Sequence, residues 1–257
     1  MSLLVIGKYV LEDPSLGNEG LLEDTAIYIE DDKIAEIGDR LQLKAKYPTA
    51  KIIGNGQQLV MPGFIDGHSQ GWGLTSFQVG SGYDFLEKWV LDLALSINID
   101  PYLSACYSAV KHVESGCTTM HHYWNPKNTE AIEEEIAKTI KGYKDVGIRF
   151  ALSLGVRDQN NYTYDDEAFI ASLPEPLRSK ALSMTSASKE KIMGDYFLLF
   201  DHIFKKYDDE GCRVFFGPLA PQWCSDELLM ANTRKGKILW QYQNTFACFA
   251  NHSPKGL

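Results

Sequence analysis

Leu59-Val60-Met61-Pro62-Gly63-Phe64-Ile65-Asp66-Gly67-His68-Ser69-Gln70 separates two kinds of sequence in this chain. It reads as a short apolar strand carried through a Pro-Gly punctuation to a polar tip that holds a histidine. Before it, apolar and polar residues alternate over short spans. After it, strand-like and helix-like spans take turns, the pattern of βα units around a parallel sheet. Barrel folds of that kind place reacting groups at the C-terminal ends of strands, so chemistry is expected at the tip.

Upstream, 26–30 alternates, Asp31-Asp32 turns and 33–38 returns, which predicts a hairpin. Further strands are expected over 3–9 and 51–53. Residues 1–58 hold too few strands for a sandwich of their own and need strands from elsewhere.

Downstream, the spacing predicts a helix over 84–95 and a second from the N-cap Asp100 and Pro101 to Val113. Strands are expected over 116–124, 147–155 and 212–218. An amphipathic helix over 129–145 carries Ile132, Ile136, Ile140 and Tyr143 on one face. The polar span 160–176 reads as a loop, 189–207 as a helix, and Ser225 as the cap of another helix. Residues 232–257 show neither helix nor strand period. Four strands alternating with helices amount to half of an eight-stranded barrel.

Hydrophobic residues make up 44% of the 257 and charged residues 23%, an ordinary globular composition. The net charge of −9 is spread along the chain, which argues against nucleic acid or an anionic membrane as partner. The start of the chain shows no basic leader before its apolar patch, and no apolar run is long enough to span a bilayer. Five cysteines without a CxxC pair suit reduced thiols, so a cytoplasmic protein is expected.

Several motifs in order resemble the metal-dependent amidohydrolase superfamily, near its cytosine-deaminase and triazine-hydrolase branch. They are Pro62-Gly63-Phe64-Ile65-Asp66-Gly67-His68, Gly116-Cys117-Thr118-Thr119, Gly147-Ile148-Arg149, and Leu219-Ala220-Pro221 with Cys224-Ser225-Asp226-Glu227-Leu228-Leu229. They cover residues 1 to about 230. The resemblance implies an α/β fold: a TIM barrel, here about its first four βα units over 59–231, after the N-terminal part of a composite β-sandwich over 1–58. It also implies a divalent metal, zinc or iron, and hydrolysis of non-peptide C–N bonds of a small, heterocyclic molecule. A metal lowers the pKa of bound water and polarises the substrate.

Two departures stand against this pattern. The family's second tip histidine is Gln70 here, a neutral amide and a weaker donor toward zinc than imidazole. The family's later metal histidines and catalytic carboxylates lie beyond the fourth strand, so the catalytic residues are expected outside 1–231. Read in the neighbouring frame, codons compatible with 232–251 admit IREKAKYYGNIKIHLHALQT, a helix end, a turn and an H-x-H strand. The tail 232–257 is therefore read as frameshifted.

The resemblance marks His68 and Gln70 as metal-ligand candidates; on residue type alone each also serves as a hydrogen-bonded loop residue. Asp66 reads as a turn carboxylate on nearby backbone amides. His121 and His122, adjacent in a strand, point to opposite faces, and register decides which looks into the site. His112 and His202 lie in helices and read as surface residues. Trp72, His122, Gln222 and Trp223 are the substrate-facing candidates, with aromatic core packing or a polar strand end as the other reading. The rival to an active enzyme is an inactive fragment with unpaired strand edges and poor solubility, or a half-barrel that forms a homo-oligomer.

Overall fold

The computed structural model describes residues 2–250 apart from 86–87, 90–91, 93–95 and 127–130, with side chains as far as residue 239. It divides into two compact units, residues 1–64 and 65–257.

In the first unit, β1 (Ser2–Ile6), β4 (Thr25–Glu30), β5 (Lys33–Asp39) and β6 (Lys51–Ile53) form a sheet in the order β5-β4-β1-β6. The expected hairpin is β4–β5, closed where Glu30 pairs with Lys33, and Asp31 takes the positive φ that its short polar side chain tolerates. Helix α1 (Arg40–Lys46) packs on this sheet. Leu4, Ile6, Ala26, Tyr28, Leu43 and Ala50 form its core, and Tyr28 stacks on Tyr47 at 3.6 Å. A second sheet runs β3-β2-β7, from β2 (Tyr9–Leu11), β3 (Leu21–Glu23) and β7 (Leu59–Val60).

Two expected strands are each split in the structure. The span 3–9 breaks at Gly7, whose N–H donates to the Thr25 carbonyl while the Lys8 N–H donates to that of Gln58, so β1 and β2 enter different sheets. The span 59–69 breaks at 61–63. Pro62 has no N–H for a ladder, so Leu59 and Val60 pair with Tyr9 and Val10, and β8 (Phe64–Ser69) starts afresh.

The second unit is mixed α/β. Its four-stranded sheet runs β8, β9 (Cys117–Trp124), β10 (Arg149–Val156), β11 (Cys212–Pro218) in sequence order, with β9–β10 and β10–β11 parallel. Helix α2 (Pro101–Glu114) starts as expected, its Tyr102 and Leu103 N–H groups donating to the Asp100 carboxylate. Helix α3 (Ile132–Val146) buries Ile136, Ile140 and Tyr143 and stops at Gly147, whose φ of 89° suits a helix end. The helix expected over 84–95 falls mostly outside the described residues.

The loop expected over 160–176 contains helix α4 (Asp166–Ser172), followed by α5 (Leu177–Met184). Asp165 caps Ala168, and the Asp166 carboxylate accepts the N–H groups of Asn161, Tyr162 and Thr163. Local side-chain bonds of this kind supply a helix start that hydrophobic period does not show. Helix α6 (Lys189–Tyr207) matches its expected span. Helix α7 (Asp226–Ala250) opens at Ser225, whose hydroxyl accepts the Leu228 N–H, and runs on through residues that showed no period. Asn232 is buried and donates to the Leu228 carbonyl, and Lys235 pairs with Asp201, so tertiary contacts hold its first turns.

Candidate functional site

Parity along β9, β10 and β11 sorts their side chains into two layers. Met120, His122, Trp124, Phe150, Leu152, Leu154 and Val214 are buried in the main core with the inner faces of α3 and α6. The odd-numbered residues, His121, Tyr123, Ser153 and Phe215, occupy the other face, where Tyr123 and Phe215 stand in register with Ser153.

His68 meets this second face. Its ring is 6.2 Å from that of His121, edge-on, and 6.1 Å from that of Tyr123. Gln70 Nε2 lies 3.5 Å from His68 Nε2. His121 is held at both nitrogens: Nδ1 is 3.1 Å from the Gly67 carbonyl and Nε2 is 2.7 Å from Ser153 Oγ. The Tyr123 hydroxyl donates to the Gly217 carbonyl at 2.6 Å, and burial pushes its pKa up. Of the adjacent histidines, His121 therefore shares a face with His68.

Asp66 accepts the His68 backbone N–H at 3.1 Å, the turn role expected of it. Its other oxygen is 2.9 Å from His112 Nε2, and His112 Nδ1 is 2.7 Å from the Ser108 carbonyl. His112 was expected on the surface; it is half-buried because α2 packs its last turn beside β8, whereas His202 is exposed and bonds to Glu133.

The remaining candidates lie in two other places. His122 is buried, with Nδ1 2.8 Å from the Tyr143 hydroxyl, and burial pushes its pKa down to about 3. It lines a cavity of about 90 Å³ together with Gly71, Trp72, Trp124 and Tyr143. Gln222 and Trp223 sit on a short turn after β11 that is tied to the loop after β10. The Asp158 N–H donates to the Trp223 carbonyl, and the Gln159 and Asn160 side-chain amides donate to that of Gln222. The structure thus puts the side chains of His68 and Gln70 together and Trp72 with His122, and the two pairs meet only where the Gln70 backbone bonds His122. Ser153 has one signal in the sequence, a lone hydroxyl among the apolar residues 150–156.

A divalent ion needs more than this face offers. Among the described residues no group of three or more His, Cys, Asp or Glu side chains converges on one point. Catalytic zinc takes three protein ligands. Here His68 has only a neutral amide beside it, and His121 Nε2 is engaged by Ser153. The described donors alone do not fit the metal.

The second unit is thus a mixed α/β fold with His68 and His121 on the sheet face opposite its main core. The chain matches no family model. It is 27% identical over 212 residues to a 5'-deoxyadenosine deaminase of Methanobrevibacter smithii, which covers 79% of this chain and 39% of the relative. It is 27% identical over 176 residues to a 5-methylthioadenosine/S-adenosylhomocysteine deaminase of Caldanaerobacter subterraneus, covering 65% and 36%. Among solved structures, the guanine deaminase of C. acetobutylicum superposes with a TM-score of 0.59 at 16% identity, over 95% of this chain and 51% of that one. An atrazine chlorohydrolase of Arthrobacter aurescens, solved with zinc and atraton, gives 0.57 at 17% identity, over 91% and 50%. The chain is thus similar in sequence to two deaminases, and in fold to a deaminase and to a triazine-ring hydrolase. The chain spans well under half the length of the curated relatives it matches.

Proposed function

We propose that the whole protein is an amidohydrolase that hydrolyses a non-peptide C–N bond of a small heterocyclic molecule, with an amino-substituted purine nucleoside as the substrate class to test first. The observation that carries this reading is the sequence likeness to two deaminases named for adenine nucleosides, together with His68 at the strand end where the superfamily's motif puts a histidine. In this reading, 59–231 supplies about the first four βα units of a TIM barrel and 1–58 part of a composite β-sandwich. The zinc or iron that the resemblance implies takes ligands beyond His68 and Gln70, and the proton-shuttling carboxylate lies outside 1–231. The tail 232–257 is a frameshifted stretch. A cytoplasmic setting suits the free thiols of Cys106, Cys117, Cys212 and Cys224. Among the described residues no helix is long and apolar enough to cross a membrane.

One observation favours a second reading, a catalytically inactive fragment: the described residues hold no complete ligand set. Both are tested together. The coding DNA is sequenced, and the given and frame-restored proteins are assayed for ammonia release from adenine nucleosides, guanine and aminated rings, with metal analysis. The first reading expects ammonia and a bound divalent ion from the restored protein. An intact frame, no bound ion and no ammonia from either protein refute it.

A further inference from the structure

We propose that Ser153 and His121 form a hydroxyl–imidazole dyad that takes acyl groups from small activated esters, a chemistry distinct from C–N hydrolysis. The assignment starts from the two bonds of the His121 ring. Nδ1 faces the Gly67 carbonyl at 3.1 Å, and a carbonyl can only accept, so Nδ1 carries the proton. Nε2 is then the lone-pair nitrogen, and the Ser153 hydroxyl 2.7 Å away donates to it. A nucleophile within hydrogen-bond reach of a base, with the base oriented by a third group, is the arrangement that activates serine. Here a backbone carbonyl of β8 does the orienting, and the three members come from three neighbouring strands.

Ser153 is only 3% exposed and lies under the half-buried His121, so the dyad admits only a small uncharged ester entering from the open side of the face. Phe215 stands in register with Ser153, its ring 6.1 Å from that of His121, and it remains 41% exposed. It gives the face an apolar wall open to solvent. Charged substrates gain nothing there, because the neighbours Tyr123 and Phe215 offer no counter-ion.

The step balances without a metal. Ser153 Oγ attacks the ester carbonyl carbon as its proton passes to His121 Nε2. The bond to the leaving oxygen breaks, and that oxygen takes the proton from Nε2–H as alcohol or phenol. Water, deprotonated by the same nitrogen, then hydrolyses the acyl-serine and restores the hydroxyl. The Gly67 carbonyl brings no full negative charge to the imidazolium formed on the way. Release of the acyl group is therefore slow, and the acyl-enzyme accumulates.

The test mixes the purified chain with 4-nitrophenyl acetate in the presence of a chelator. It follows nitrophenolate release and maps acetylated peptides by mass spectrometry. We expect a burst approaching one equivalent and an acetyl group on Ser153. The burst rate should fall about 100-fold in His121→Asn, the size of a general-base contribution, and the adduct should be absent in Ser153→Ala. Circular-dichroism melts check that both variants fold, and mapping the unaltered chain needs no variant at all. Acetylation confined to lysines, or an undiminished burst in a folded His121→Asn, overturns the proposal. Ammonia release is a separate assay, so this failure is distinguishable from that of the amidohydrolase reading.

Discussion

Acid should unfold this protein through His122. Its ring is buried under the turn that Gly71 makes, bonded to the Tyr143 hydroxyl, and burial lowers its pKa from 6.5 to about 3 despite a hydrogen bond to the Gln70 carbonyl that favours the charged form. The unfolded chain takes up a proton below pH 6.5, whereas the folded chain keeps the ring neutral until about pH 3. Stability is therefore lost as pH falls through that window. At about 1.36 kcal/mol per pH unit, two units below 6.5 cost about 2.7 kcal/mol. Other groups titrate in the same range, so the comparison is with His122→Gln, which cannot titrate. Urea melts at pH 7 and pH 4.5 should show the unaltered chain losing about 2.7 kcal/mol more than the variant. Parallel losses in both proteins would mean that the fold does not hold His122 neutral.

Gly71→Ala should destabilise by about 1–3 kcal/mol: φ is 66° there, and a Cβ would stand 2.3 Å from the His122 ring. An unchanged melting temperature would refute the close approach. Asp158 is buried and accepts both the N–H and the hydroxyl of Ser225 at the start of α7, so Asp158→Ala should cost about 2–3 kcal/mol; urea titration measures it, and a cost below about 0.5 kcal/mol would contradict the buried pairing. In the four-stranded sheet β8 and β11 are the end strands, with Phe64, Ile65 and Phe215 exposed, so the chain alone should self-associate as concentration rises. Sedimentation that finds a monomer at every concentration, melting cooperatively, would count against it.

Element order was legible because each signal is local. Asp100-Pro101, the Ile136–Ile140–Tyr143 face and the β4–β5 turn each act within one or two turns of chain, where caps and period decide the outcome. The Pro62 break is not decided by the sequence, since a missing ladder N–H matters only once the partner strand is known. Helix α4 escaped because the bonds of Asp165 and Asp166 that start it carry no hydrophobic period.

The site divides along the same line. Alternation alone establishes that His121 and His122 face opposite ways, and the strand tip alone singles out His68. Which histidine joins His68 is decided by which side of β9 the helices α2 and α3 cover, a matter of packing between elements far apart in sequence. The same packing puts Trp72 with His122 in the helix layer, ties Gln222 and Trp223 to the loop after β10, and brings Ser153 within reach of His121. Strand period tells a side chain which neighbours share its face; only burial of one face against helices tells it which face that is.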